Sequence, residues 1–507
     1  AVAAFEPRAR CGNDASAFIG GGVGFDGRGS YEIGGEIATY DWDFGDGTSG
    51  SGAQQSHAYA LAGVYTATLT VTNADGLSAT DERNILVIDP ASLPQMETLR
   101  VSETSTNLQA NGISVSPEVS DDGRYVAFMS TAPNFLVGDT NLSQDIFVKD
   151  LSEGTVERVS VATGGAQAIS GLGFALMQNL PWISADGRFV TFVSDAPNLF
   201  AGDDELTGDL FVHDREQGTT ELLYDAPGSG AYGGELSTDG RYLVYATASY
   251  DLYWLDRQTG VLEQVNVNDA GEEANDESQL THISADGNLI LFQSEATNLD
   301  SASPGARSVF LRNVALGTTE LVSLDNTGSP VFGNFQNIFS SSMSDDGRYV
   351  TFSTSDNDVV PGDNNAGSGD VDVFVRDRLL GTTEHISVST LGEGANRIAA
   401  WEAISADGRY VAFVSAANNL APGGTFALQA YLRDRQEQTT VRVSVDNNGV
   451  EATNPGVVAG DSSTSLSVAL DGSVAFGSIA ANLVLNDTNG TPDVFIRRVV
   501  PRSGGAT

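Results

Sequence analysis

Two sets of residues in this chain have the types and spacing to do chemistry. The first is an acidic phrase that recurs: GDTNLSQDIFVKD from Gly138, GDDELTGDLFVHD from Gly202, GDNNAGSGDVDVFVRD from Gly362 and NDTNGTPDVFIRR from Asn486. Calcium takes about six to eight oxygen ligands, drawn from carboxylates, amides, backbone carbonyls and water. Alternating Asp and Asn side chains in a short glycine-bearing loop offer that mixture. Asp139, Asn141 and Asp145 fit best, together with Asp487, Asn489 and Asp493. Asp363, Asn365 and Asp370 carry an insertion, and Asp203, Glu205 and Asp209 put a longer carboxylate where the amide stands. The terminal glutamate of an EF-hand loop is absent. The competing reading is an Asx turn that leads into a strand, with the carboxylates accepting hydrogen bonds from backbone amides.

The second set is a series of positions, each two residues ahead of a repeated Ser-x-Asp-Gly turn: Glu118, Trp182, Glu235, His282, Ser342, Ala403 and Ser467. The intervening residue is always apolar: Val119, Ile183, Leu236, Ile283, Met343, Ile404 and Val468. In a strand such neighbours face opposite sides. The first series can therefore meet around one axis while the second packs between sheets. His282, Glu118 and Glu235 would then form an acid/base group. Trp182, Trp401 nearby, and His282 would contact a ligand, the indoles as flat faces for a sugar. The alternative is a ring of solvated or mutually paired side chains.

Other chemistry finds no residues. There is no Gly-x-Ser-x-Gly elbow in a strand-to-helix setting, no His-Glu-x-x-His, and no Gly-rich phosphate loop ahead of a helix. His213 and His385 lie in strand patterns and read as packed or solvated. No catalytic residue is assigned on this basis. If the chain is an enzyme, His282, Glu118 and Glu235 are the residues expected to move protons.

The elements that must position these side chains come from a repeat. SDDGRYVAF at 120 returns as SADGRFVTF at 184, STDGRYLVY at 237, SADGNLILF at 284, SDDGRYVTF at 344, SADGRYVAF at 405 and, degenerate, ALDGSVAF at 469. Each anchor is followed by a loop, a strand such as DIFVKD, a GTTE-like turn and a strand such as VERVSV. Asp-Gly is a tight-turn signal. Each copy thus supplies four short strands, and sheets of that size bury their faces by packing radially, as in a β-propeller. The last copy stops after its third strand. Its missing fourth strand stands at the start of the repeat region in METLRVSETS, so strand 97–103 is expected to close the last blade of a seven-bladed ring. The anchors resemble TolB-like propeller repeats, akin in architecture to WD-repeat propellers, across residues 97–500. Asn288 and Ser473 replace the usual arginine. Arg124, Arg188, Arg241, Arg348 and Arg409 are expected to pair with nearby carboxylates. In such a ring the acidic loops of blades one, two, five and seven sit on one rim.

Residues 1–90 read differently. WDFGDGT from Trp42, followed by HAYALAGVYTATLTVTNADG from His57, resembles a PKD domain, an immunoglobulin-like module. The resemblance implies an antiparallel β-sandwich, an extracellular setting and a spacer or weak binding role. Asp46 and His57 read as turn and core residues. Residues 91–96 form a linker, and 501–507 a tail. The fold class is all-β: a sandwich followed by a propeller.

Composition narrows the partners. The formal net charge is −42, and Lys149 is the sole lysine. Such a surface repels nucleic acid and anionic membranes. No apolar run is long enough to span a bilayer, and any secretion signal is expected to be gone already. One cysteine, Cys11, excludes an intrachain disulfide and leaves a buried thiol or an intermolecular bridge. The reading is a secreted or cell-surface, non-enzymatic binding, adhesion or assembly protein. It would use a calcium-stabilised propeller to contact polysaccharide or protein at the rim, as a homo-oligomer or within an extracellular assembly. The alternatives are a polysaccharide lyase or glycoside hydrolase at the channel mouth, and a structural subunit of a surface layer or appendage.

Overall fold

The computed structural model describes residues 6–32, 36–92, 95–141, 143–169, 181–201, 208–225, 231–331, 340–356, 359–361, 371–453 and 466–500. Runs of β-branched and aromatic residues between Asp-Gly and Gly-Gly turns favour strands throughout. Among the described residues the helical content is one 3-10 turn, Pro90–Ser92.

The first sandwich pairs five strands in the order Ala15–Phe18, Ser78–Ile88, Gly63–Asn73, Ile37–Asp43, Ser49–Ser51, against a hairpin-like pair Gly22–Asp26 and Gln54–Ala58. Trp42 and Phe44 are both buried, and Phe25 meets the Trp42 ring edge-on at 5.2 Å. His57 stacks on Phe44 at 4.3 Å and bonds Asp46 through Nε2 at 2.7 Å, so both serve the turn and the core. The sequence suggested a wholly antiparallel sandwich. Instead Ala15–Phe18 pairs in parallel with Ile85–Ile88, because the chain crosses to the other sheet straight afterwards. Cys11 is fully buried, and burial first, then Asp81, pushes its thiol up to about 12. Ala15, Ser16, Leu86 and Ile88 lie beside Ser389, Glu393 and Leu420 of the repeat region.

The repeats form seven consecutive sheets among the described residues. The first holds Ser114–Val119, Tyr125–Ser130, Asp145–Asp150 and Val156–Arg158, each antiparallel to the next. The fifth has three assigned strands, Tyr349–Thr354, Asp372–Asp377 and Thr382–His385. The seventh joins Ser467–Val468, Val474–Ser478 and Asp493–Val499 to Met96–Arg100. That last strand is shorter than the 97–103 read from sequence. It begins one residue earlier and ends at Arg100, where the backbone turns toward an isolated Glu103–Gln109 bridge.

The repeated residues have repeated jobs. In the first anchor Ser120 Oγ donates to Asp122 at 2.6 Å and accepts the Tyr125 N–H at 3.0 Å, which fixes the turn. Arg124 then reaches Asp150 at 2.7 Å and lies 4.8 Å from the Tyr125 ring centre. Arg188, Arg241, Arg348 and Arg409 pair with Asp214, Asp256, Asp377 and Asp434 at the same 2.7 Å. Gly187 has φ +74, and a Cβ there would lie 2.2 Å from the Tyr125 ring of the preceding sheet. The anchor therefore needs glycine for its backbone and for the neighbour's aromatic. Where the GTTE-like turn carries a second threonine, that residue ties sheets together. Thr319, Thr383 and Thr440 donate to the carbonyls of Val267, Leu324 and Val388 one sheet earlier, at 2.5, 2.6 and 2.6 Å. Thr98, from the first strand of the region, does the same to Val445 of the sixth sheet at 2.5 Å.

Backbone bonds also link the turns. Asp121 N–H donates to Ala185 O, Thr238 to Ala285, Ala285 to Asp345 and Asp345 to Ala406, all within 2.9–3.1 Å. Leu470 N–H of the seventh sheet donates back to Asp121 O of the first at 3.0 Å.

Candidate functional site

Glu118, Trp182, Glu235, His282, Ser342, Ala403 and Ser467 all border one cavity of about 870 Å³. β-Bulges help to aim them. Register shifts separate Leu280 from His282 and Ala400 from Ala403 in the pairing of the inner strands. A bulge turns side chains that regular pairing would send elsewhere. At Trp401 the bulge sets φ to +56, the left-handed region. Holding a bulky residue there costs on the order of 1–3 kcal/mol. Trp401 and Trp182 both border the cavity, and each also packs on the core of its sheet. The apolar series, Val119 to Val468, is buried as well.

The ionisable groups interact. His282 Nδ1 lies 3.0 Å from Glu235 Oε2, which also accepts the Ile283 N–H at 3.1 Å. Burial opposes a charge on His282, but Glu235, Asp345 and Glu118 outweigh it and hold the imidazole at about 9. Burial, reinforced by Glu235, raises the Glu118 carboxyl to about 8. Asp121 is raised to about 6 by burial and by Asp345, whose own carboxyl burial also raises. The group therefore keeps a proton on Glu118 at neutral pH and a cationic imidazole beside it. Such perturbed, mutually coupled groups in a cavity mark candidate functional sites.

Sequence reasoning missed several lining residues. Asp121 and Asp345 occupy the second anchor position, where the other anchors have Ala, Thr or Leu. Glu402 stands three residues before its anchor, where the other copies place Pro117, Pro181, Gly234, Thr281, Ser341 and Leu466. A charge at a position that is otherwise uncharged was the available signal. Burial raises the Glu402 carboxyl to about 7, opposed by a hydrogen bond from Ser340. Tyr250 and Arg307 also line the cavity.

The acidic loops lie elsewhere. Asp139 and Asp145 converge, but on a guanidinium: Arg158 Nη1 stands 3.2 Å from Asp139 Oδ1 and 3.0 Å from Asp145 Oδ2. Asn141 donates to Asp145 at 3.1 Å and accepts the Ser143 N–H, an Asx turn. Ser160 completes Asp145 at 2.6 Å. In the last loop Gln109 Nε2 donates to Asp487 at 2.7 Å and Asp493 at 2.9 Å, while Asn489 and Ser102 also donate to Asp493. Asp209 is buried at the head of its strand. Asp203, Glu205, Asp363, Asn365 and Asp370 lie outside the described residues. Among the described residues no group of three or more His, Cys, Asp or Glu is arranged to hold a metal ion. His213 is buried against Thr220, and His385 stacks on Phe374 beside Asp372.

A family model for the PKD domain matches residues 4–87. Collagenase ColA of Clostridium perfringens is 35% identical over 112 residues, 22% of this chain and 10% of the collagenase. The chain thus spans about a tenth of the length of the curated relatives it matches. Among solved structures, an oligogalacturonate lyase in complex with manganese aligns over 81% of this chain and 98% of its own at 13% identity, TM-score 0.47. A TolB-like protein of Agrobacterium tumefaciens aligns over 62% and 94% at 18% identity, TM-score 0.34. No helix among the described residues is long and apolar enough to cross a membrane. The chain is all-β, its residues 4–87 are a PKD domain, and the remainder is a propeller-type array of sheets.

Proposed function

We propose that this chain is an extracellular glycan-binding protein whose ligand sits in the central cavity of a closed, seven-bladed ring. Closure is supported by the Leu470–Asp121 backbone bond, and by Thr98, which repeats in the last sheet the clamp made by Thr319, Thr383 and Thr440. The extracellular setting follows what a PKD domain implies.

One observation carries the binding reading: two tryptophans, Trp182 and Trp401, border a single cavity together with Glu118, Glu235 and His282. Indole faces take the apolar side of a sugar ring, and carboxylates take its hydroxyls. The expected seat at the rim thereby moves to the cavity. In this reading Arg158 and Gln109 tie the acidic loops, the task the spacing suggested for calcium.

A second reading adds turnover at the same place. Glu118, held protonated at neutral pH, would donate a proton to a leaving oxygen, and the His282–Glu235 pair would orient the substrate. Isothermal titration against neutral, cationic and anionic oligosaccharides, paired with a reducing-end assay, tests both. Binding lost on Trp401→Ala without release of reducing ends supports the first reading. Release that is lost on Glu118→Gln supports the second. Binding that survives Trp401→Ala and Trp182→Ala overturns the cavity as the seat.

A further inference from the structure

The third sheet departs from the other six at one place. In every sheet the second and third strands set two aromatic rings side by side, centres 5.7–6.0 Å apart. In the other six the connection between those strands is long, from 13 residues at 295–307 to 17 at 355–371. It returns an apolar side chain to the rings: Phe135, Leu199, Leu299, Val359, Leu420 or Leu483, each buried in the cluster that holds its pair. In the third sheet the connection is four residues, 248–251, a turn closed by the Tyr250 N–H on the Thr247 carbonyl at 2.9 Å. It is too short to reach back, so the rim has a notch where the other sheets have a loop. The pair beneath is Tyr245 and Tyr253, and Tyr224 of the second sheet lies 4.6 Å from Tyr245. Tyr245 is buried between the other two, which are half-buried. Five of the other pairs are Phe with Phe. In the sixth, Tyr431 spends its hydroxyl on the loop carbonyl of Ala417 at 3.0 Å.

Two residues join this notch to the cavity. Trp182 borders the cavity and packs in the same apolar cluster as the three tyrosines. Tyr250, in the shortened turn, borders it as well. We infer that the notch is an outer subsite, over which a glycan chain leaves the cavity and lays a ring on Tyr224 and Tyr253. This deepens the glycan-binding reading and rests on it. A phenol offers the same kind of apolar face as an indole, with a hydroxyl at its edge to meet those of the sugar. A chain that left over any other sheet would meet a connection of 13 residues or more.

The test is calorimetric titration of the full chain with di-, tetra- and hexasaccharides of glucose, N-acetylglucosamine, glucosamine and galacturonate, together with hydroxyl-radical footprinting of the tyrosines. In the series that binds, the hexasaccharide is expected to bind at least about tenfold more tightly than the disaccharide, and to protect Tyr224 and Tyr253 where the disaccharide does not. Tyr253→Ser is expected to reduce that ratio to about twofold or less. The footprint is read on the unaltered protein, so it stands whether or not the variant folds. If the hexasaccharide gains no affinity, or gains it without protecting Tyr224 and Tyr253, the outer subsite falls, and the cavity reading survives where Trp401→Ala still removes binding. A ratio unchanged in folded Tyr253→Ser overturns the subsite as well. If no sugar of any length binds, both readings fall.

Discussion

Arg158 should be the most sensitive single residue of the first sheet. Its guanidinium faces Asp139 and Asp145, and the side chains of the three are 9%, 4% and 1% exposed. Asp145 spends its other oxygen on Ser160. Arg158→Met keeps volume and removes the charge, so two buried carboxylates lose their counter-ion. Breaking a buried pair from one side costs about 3–5 kcal/mol. With an unfolding entropy of about 2.1 cal/mol/K per residue over roughly 400 residues of sheet, that is a fall in melting temperature of about 4–6 °C. Burial already raises the Asp139 carboxyl, and Arg158 opposes that rise. Without the arginine the Asp139 carboxyl is raised further, so the deficit belongs to its ionised form and shrinks as the pH falls toward about 4. The assay is thermal unfolding followed by circular dichroism across pH, with calcium and with chelator. An unchanged melting temperature in Arg158→Met would refute the ion-pair account. So would a wild-type protein that gains stability from calcium and loses it to chelator.

Three further outcomes follow from the same structure. Glu118 has its carboxyl raised from the ordinary 4.5 to about 8, so its protonated form stabilises the fold at low pH and that contribution is lost as pH rises toward 8. Glu118→Gln should flatten the loss of stability between those values, and an unchanged pH profile counts against the buried assignment. A chain that starts at Gln95 should unfold cooperatively, whereas one that starts at Glu103 lacks Met96–Arg100, leaves the outer edge of Asp493–Val499 unpaired and should melt earlier and more broadly. Equal melts would remove the case for closure. Trp401→Gly relieves the left-handed backbone, which offsets only part of the packing that its side chain makes on the core of the sixth and seventh sheets, so stability should fall by less than for Trp401→Ala while glycan affinity is lost. Retained affinity would show that the indole is not a ligand contact.

Much of the architecture is legible because each repeated residue answers to a neighbour that is also repeated. Gly187 is glycine because Tyr125 of the sheet before it fills the space of a side chain, and both residues recur in register along the chain. Alternation likewise picked out Glu118, Glu235 and His282 at the cavity, although the buried Val119, Leu236 and Ile283 border it too. What the alternation hid was Glu402. It occupies a position that faces away from the first series in a regular strand, and the bulge between Ala400 and Ala403 changes that direction. The partners of the acidic loops were hidden for a related reason. Asp139 and Asp145 look like ligands waiting for a cation, but the cation is Arg158 on the next strand, and for Asp487 the donor is Gln109, 378 residues away. Counter-charges that arrive from another strand leave no mark in local spacing.

The most direct measurement is a crystal structure of the chain soaked with the tetrasaccharide that titration finds tightest. The account predicts sugar density in the central cavity, against Trp182 and Trp401. Density on the rim beside Asp139 or Asp487, or on residues 4–87, with the cavity unchanged, would contradict it.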